Sequence, residues 1–251
     1  MNILKTTFVQ LLIIAGLNFS AYGNSELYRI NVIEMEMPDG HRLYGTLYET
    51  KVAGPGVIMF PPCGADRWGY EKMAHLLANQ GLNVLLVDLR GQDEFDREKI
   101  TTGMMLQDFN AIVRTFKAGA KVTGDLGVLG ASCSVDFAFR LAETNADIVA
   151  IAANSGTTDK HHKLLLTNRP GLSYLGIGSA KDEMMIKYSG DWKLVNAAGE
   201  VNDIRTYSNH PLSRSITYEQ KGHANELFEL DPKLEGEITQ WFVEVLLNGS
   251  K

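Results

Sequence analysis

Cysteine is scarce in this chain: two residues, Cys63 and Cys133, among 251. So few thiols exclude a disulfide-built scaffold and a four-cysteine zinc site. Positive charge is also in deficit, with 24 Lys and Arg against 30 Asp and Glu and a formal net charge of −6. A nucleic-acid binder normally carries a basic field, so that class is excluded as a partner. Internal repeats, low-complexity tracts and linker-like runs are missing. With 45% hydrophobic and 22% charged residues, the composition is that of a globular chain rather than a disordered, collagenous or coiled-coil one. A chain of this length buries roughly 70–75% of the surface its unfolded form exposes, so its core needs no covalent staples.

The long apolar run that is present comes first. Lys5 precedes an apolar stretch from Phe8 to Leu17, and Ser20-Ala21-Tyr22-Gly23 places small residues at −3 and −1 of a cut after Gly23. That three-part pattern is a secretory signal peptide; the run is short of the ~20 residues that span a bilayer. We therefore expect residues 1–23 to be removed, leaving residues 24–251 as one exported domain, periplasmic or secreted, with no stable membrane anchor. Cleavage takes away Lys5 and no acid, moving the net charge from −6 to −7. Export also exposes the two cysteines to an oxidising compartment.

Past this segment the hydrophobic period changes along the chain. Ile33, Met35 and Met37 alternate with Glu34 and Glu36, Pro38-Asp39-Gly40 supplies a turn, and an extended pattern resumes from His41 to Glu49, which predicts an antiparallel hairpin. Short apolar runs at 56–60, 83–87, 126–129, 148–153 and 172–178 read as buried strands, and Ile216 with Tyr218 marks a last one. Between them lie helical stripes: Met73, Leu76, Leu77 and Gln80; Leu106, Phe109, Ile112, Val113 and Phe116, with Thr102 as cap; and Val135, Ala138, Phe139 and Ala142. Asp231-Pro232 opens a closing helix with Leu234, Ile238, Trp241, Phe242 and Val245 on one face. This alternation predicts an α/β domain, a mostly parallel sheet with helices on both faces. Fewer than twenty residues separate the strands near Ala153 and Leu172, too few for a separate lid domain. Asp88 and Arg90 read as turn and surface structure, and Asp159-Lys160-His161-His162-Lys163 as a solvated loop without a site.

One strand-to-helix junction carries chemistry. Gly130-Ala131-Ser132-Cys133-Ser134 joins a buried strand to an amphipathic helix, the setting of a nucleophile elbow, whose sharp turn needs small residues two before and two after the nucleophile. The helix N-terminus behind Ser132 offers backbone N–H groups to an oxyanion. Cys133 is the alternative nucleophile, but in that register the β-branched Val135 crowds the turn.

From about Gly54 to its end the chain resembles the α/β-hydrolase family, in particular small lidless members of the dienelactone-hydrolase-like and carboxylesterase-like kind. The matching residues are Gly130-Ala131-Ser132-Cys133-Ser134, with Ser134 replacing the family's usual glycine, and the Asp-x-Arg-Gly turn at 88–91. The resemblance implies the α/β-hydrolase fold, a serine-hydrolase mechanism and no cofactor or metal. Its chain order of Ser, acid, His leaves His210 and His223 as bases, and His161 and His162 out of order. His223, just past the last strand, occupies the family position. Asp182 follows the preceding strand as the orienting acid, with Glu183 as runner-up and Asp191 third. The loop Pro61-Pro62-Cys63 stands where relatives carry His-Gly and implies Cys63 and Cys133 as the oxyanion donors. If both frame one hole, the two cysteines lie near each other, and a disulfide becomes an open possibility. The expected reaction is hydrolysis of a small-molecule carboxylic ester. An amide- or peptide-cleaving enzyme with the same triad, and a non-catalytic exported binding protein on the same fold, remain as alternatives.

Overall fold

The computed structural model describes residues 27–91, 99–119, 121–188 and 191–249; the signal segment expected at 1–23 lies outside the described residues. The chain begins with the predicted hairpin, β1 (Tyr28–Glu36) and β2 (Arg42–Thr50), antiparallel in register from Tyr28 opposite Thr50 to Glu36 opposite Arg42. There follow β3 (Gly54–Phe60), α1 (Glu71–Asn79), β4 (Asn83–Val87), α2 (Thr102–Gly119), β5 (Val122–Ala131), α3 (Ser134–Thr144) and β6 (Ile148–Asn154). The second half runs through α4 (Lys160–Asn168), β7 (Ser173–Ser179), β8 (Glu183–Tyr188), β9 (Asp191–Asn196) and α5 (Ala197–Arg205). β10 (Arg214–Tyr218), α6 (Glu226–Leu230) and α7 (Leu234–Val243) complete it.

Eight strands form one sheet in the order β1-β2-β4-β3-β5-β6-β7-β10. β2 is antiparallel to β4, and every pairing from β4 to β10 is parallel. Its two faces are both buried, which is why the central strands read as continuous apolar runs rather than alternating ones. In β3, Ile58 and Phe60 pack with α2 and α3 residues such as Phe109, Val135 and Phe139. Val57 and Met59 point the other way, to Met73 and Leu77 of α1 and Ile238 and Trp241 of α7. The closing stripe Leu234, Ile238, Trp241, Phe242 and Val245 is buried throughout.

Four expectations need correction. α2 is capped by Thr101, whose Oγ1 accepts the Met104 N–H at 3.2 Å, and not by Thr102, which is already helical. The segment at 159–163 is no solvated loop: Asp159 caps α4, accepting from the His161 and His162 N–H groups, while the buried His162 returns Nδ1 to the Asp159 N–H. Arg90 is no surface residue. It is 5% exposed and donates to Asp108 at 2.7 Å and to Asp39 at 2.9 and 3.0 Å. Asp88 is ion-paired to the buried Arg67. The antiparallel pair β8–β9 was not anticipated; it stands outside the main sheet between β7 and α5. Among the described residues no helix is long and apolar enough to cross a membrane.

Candidate active site

The parallel strands all end at one edge of the sheet, and each candidate residue follows a strand there. Ser132 comes directly after β5. Its backbone has φ 54°, a conformation a non-glycine residue adopts only under constraint. Gly130 makes the turn feasible: a Cβ there would stand 2.5 Å from the Ser134 carbonyl oxygen and 3.0 Å from the Val135 Cα. The Ser132 N–H is given to the Asn154 carbonyl at the end of β6 (2.8 Å), and the Val135 N–H closes the turn on the Ser132 carbonyl (3.1 Å). Ser134, in the place of the family glycine, is fully buried and donates its hydroxyl to the Pro61 carbonyl at 2.6 Å. The substitution therefore ties the elbow to the loop after β3.

That loop is a tight turn. The Ala65 N–H reaches the Pro62 carbonyl at 3.0 Å, and Gly64, with φ 81°, supplies the left-handed position. Cys63 is thereby carried to Cys133, and the two form a disulfide with Cα atoms 5.9 Å apart, within the span such bonds require. The open question of their pairing is thus answered, and no free thiol exists at Cys133 to act as nucleophile. The Cys63 N–H donates to Cys133 Sγ at 2.9 Å. One of the two expected oxyanion donors is therefore turned to sulfur.

Asp182 lies three residues past β7, and His223 five past the neighbouring β10. His223 Nδ1 stands 2.8 Å from Asp182 Oδ2. Asp182 is 8% exposed, and its backbone is held by the Ala197 N–H on its carbonyl and its own N–H on Ser179. A carboxylate only accepts, so the imidazole proton sits on Nδ1 and Nε2 is left as the basic nitrogen. The hydrogen bond His223 donates to Asp182 holds its imidazole above the ordinary histidine value, overcoming partial burial, with Glu226 adding to the rise. The Glu226 carboxylate also accepts the His223 backbone N–H at 2.9 Å. Glu183 and Asp191 start the β8 and β9 strands and are exposed. His210 accepts the Leu212 N–H in its own turn, with burial lowering its pKa.

A strand order of 1-2-4-3-5-6-7 followed by a last parallel strand, a strained serine after the fifth strand, and an acid and a histidine after the last two together define an architecture. The fold is that of the α/β-hydrolases. An esterase of Pyrococcus furiosus superposes with a TM-score of 0.66 over 87% of this chain and 92% of that one, at 15% identity. A dienelactone hydrolase of Anabaena variabilis gives 0.63 over 88% and 99%, at 17% identity. An α/β hydrolase of Novosphingobium aromaticivorans gives 0.64 over 84% and 97%, at 15% identity. No protein-family model and no curated protein matches the sequence. Within this α/β-hydrolase fold, Asp136, Asp159 and His162 lie close enough together to hold a metal ion. Their hydrogen bonds argue otherwise. His162 Nδ1 accepts the Asp159 N–H, so Nε2 carries the proton and donates it to Asp136 at 3.0 Å, leaving no ring lone pair free.

Sequence reasoning passed over two residues beside the site. Ser155, one past β6, and Ala224, next to His223, also have positive φ, 54° and 52°. A left-handed backbone at a serine or alanine has no compositional signal, since glycine is the residue that advertises it.

Proposed function

We propose that this chain is an exported serine hydrolase of small carboxylic esters. The observation that carries the reading is the 2.8 Å bond between His223 Nδ1 and Asp182, at the sheet edge that holds Ser132 in its left-handed turn. A serine hydroxyl is a weak nucleophile at neutral pH and needs a base to take its proton. In the proposed mechanism His223 Nε2 removes the Ser132 proton as Oγ attacks the acyl carbon. Asp182 fixes the tautomer and stabilises the imidazolium. The tetrahedral oxyanion takes the Cys133 N–H at the start of α3, and the Cys63 N–H after it swings from sulfur to oxygen. His223 then protonates the leaving alcohol, and water attacks the acyl-enzyme by the same base. Esterase and dienelactone-hydrolase neighbours support the hydrolase reading at the level of fold. The signal-like first 23 residues and the disulfide support export.

One observation favours a second reading, a binding protein that keeps the fold without the chemistry: the Cys63 amide is already engaged by sulfur. Labelling with a fluorophosphonate, before and after reduction, tests both readings. We expect labelling of the wild type that is lost in Ser132→Ala and His223→Ala. A folded wild type that stays unlabelled in either redox state sinks the hydrolase and leaves the binding protein.

A further inference from the structure

Among the described residues three non-glycine positions have a positive φ: Ser132, Ser155 and Ala224. Each such backbone is strained and persists only where its surroundings over-determine it. Ser132 and Ser155 directly follow β5 and β6, Ala224 lies in the loop six residues past β10, and hydrogen bonds join them. The Ala224 N–H donates to Ser155 Oγ at 2.9 Å. The same hydroxyl donates its proton to Asn154 Oδ1, 3.3 Å away. The Asn154 carbonyl in turn receives the Ser132 N–H. Ser155 is wholly buried, Ala224 is 1% exposed, and the Ser155 N–H is anchored on the Ile177 carbonyl of β7 at 2.8 Å. Glycine is the residue that takes φ near 54° without strain. A serine there accepts the strain and keeps a hydroxyl, and the hydroxyl's partner is the amide that follows His223.

We infer that Ser155 is a positioning residue for His223, its hydroxyl pinning the histidine loop to the same strand end that fixes the nucleophile elbow. This rests on the serine-hydrolase reading above and adds a positioning residue to its triad. Without the hydroxyl the Ala224 N–H is buried with no acceptor, so the loop must shift to satisfy it. His223 is bonded to that loop one residue earlier, so the shift moves the imidazole relative to both Ser132 and Asp182.

Ser155→Gly separates positioning from packing, because it removes the hydroxyl and the backbone strain together. We expect it to keep its melting temperature within a few degrees while kcat for p-nitrophenyl acetate falls roughly 10- to 100-fold, as displacements of about an ångström do, with KM little changed. The charged groups acting on His223 are Asp182 and Glu226. Looser contact with Asp182 should move the acid limb of the pH profile to lower pH and weaken the downfield imidazole N–H proton resonance. If Ser155→Gly fails to fold, Ser155→Cys, with a small side chain and a weak acceptor, carries the same readouts. Wild-type kcat, acid limb and proton resonance in the variant would overturn the role of Ser155 and leave the hydrolase standing. An unlabelled wild type would overturn both.

Discussion

At the scale of single residues, the pair His223–Asp182 makes opposed demands on pH. Its imidazole is held above the ordinary histidine value, chiefly by the hydrogen bond to Asp182. A group whose pKa is raised on folding contributes stability that is complete below its unfolded value and is lost as pH rises through the folded one. His223→Ala should therefore destabilise the protein more at pH 5.5 than at pH 8.5, read by urea melts at the two values. In the proposed mechanism activity runs the other way, since only a neutral His223 can take the Ser132 proton. Hydrolysis should rise through the same raised pKa. In Asp182→Asn the acid limb should move down and kcat should fall by ~10⁴, the scale of losing the acid that orients a triad histidine. An acid limb that stays in place would remove Asp182 from the role. The pair was legible in the sequence through the family resemblance, which places an acid after one strand and a histidine just past the last; chain order by itself left His210 open beside His223 and Glu183 and Asp191 beside Asp182. Ser155 and the amide of Ala224 were illegible because their roles arise from a backbone angle and a contact across 69 positions.

At the scale of elements, two ties join the loop after β3 to the start of α3: the Cys63–Cys133 disulfide and the Ser134–Pro61 hydrogen bond. The disulfide closes a loop of 70 residues, and chain-entropy reasoning assigns such a closure about 4 kcal/mol, with 2–4 typical of measured bridges. Reduction should therefore lower the melting temperature by roughly 5–15 °C for a domain of this size, and an unchanged melt would mean the bond is not formed in solution. Ser134→Ala leaves the Pro61 carbonyl without its buried donor and should cost about 1–3 kcal/mol. A third tie crosses more of the fold. Arg90, after β4, joins Asp39 in the β1–β2 turn to Asp108 in α2, whose side chain is only 3% exposed. Arg90→Leu strands the Asp108 charge in the core, and we expect a loss of about 3–5 kcal/mol in denaturant melts; a loss below about 1 kcal/mol would overturn the role of this tie. Spacing gave no warning of this triad, because its members lie 18 and 51 positions apart. α4 escaped for a different reason. Its capping box uses His162 where a Glu or Gln is usual, and its buried stripe is only His162, Leu165 and Leu166.

At the scale of the molecule, the layers were the most legible feature, since a sheet covered on both faces needs continuous apolar strands and one-sided helices, and both periods stand in the sequence. What the periods omit is the compartment, which the first 23 residues and the disulfide address together. The disulfide sits beside the proposed nucleophile and includes the exposed Cys63, so the proposed export to an oxidising environment would preserve it. Expressed as the full chain in a bacterium that exports it, the protein should be recovered outside the cytoplasm, starting at Asn24 and two hydrogens lighter than the fully reduced mass. The same chain without residues 1–23, made in a reducing cytoplasm, should carry two titratable thiols and the lower melting temperature expected of the reduced form. Recovery of the exported protein with its first residues intact would refute the cleavage. Two free thiols in that exported protein would instead refute the Cys63–Cys133 bond in solution and, with it, the argument from the disulfide to an oxidising compartment.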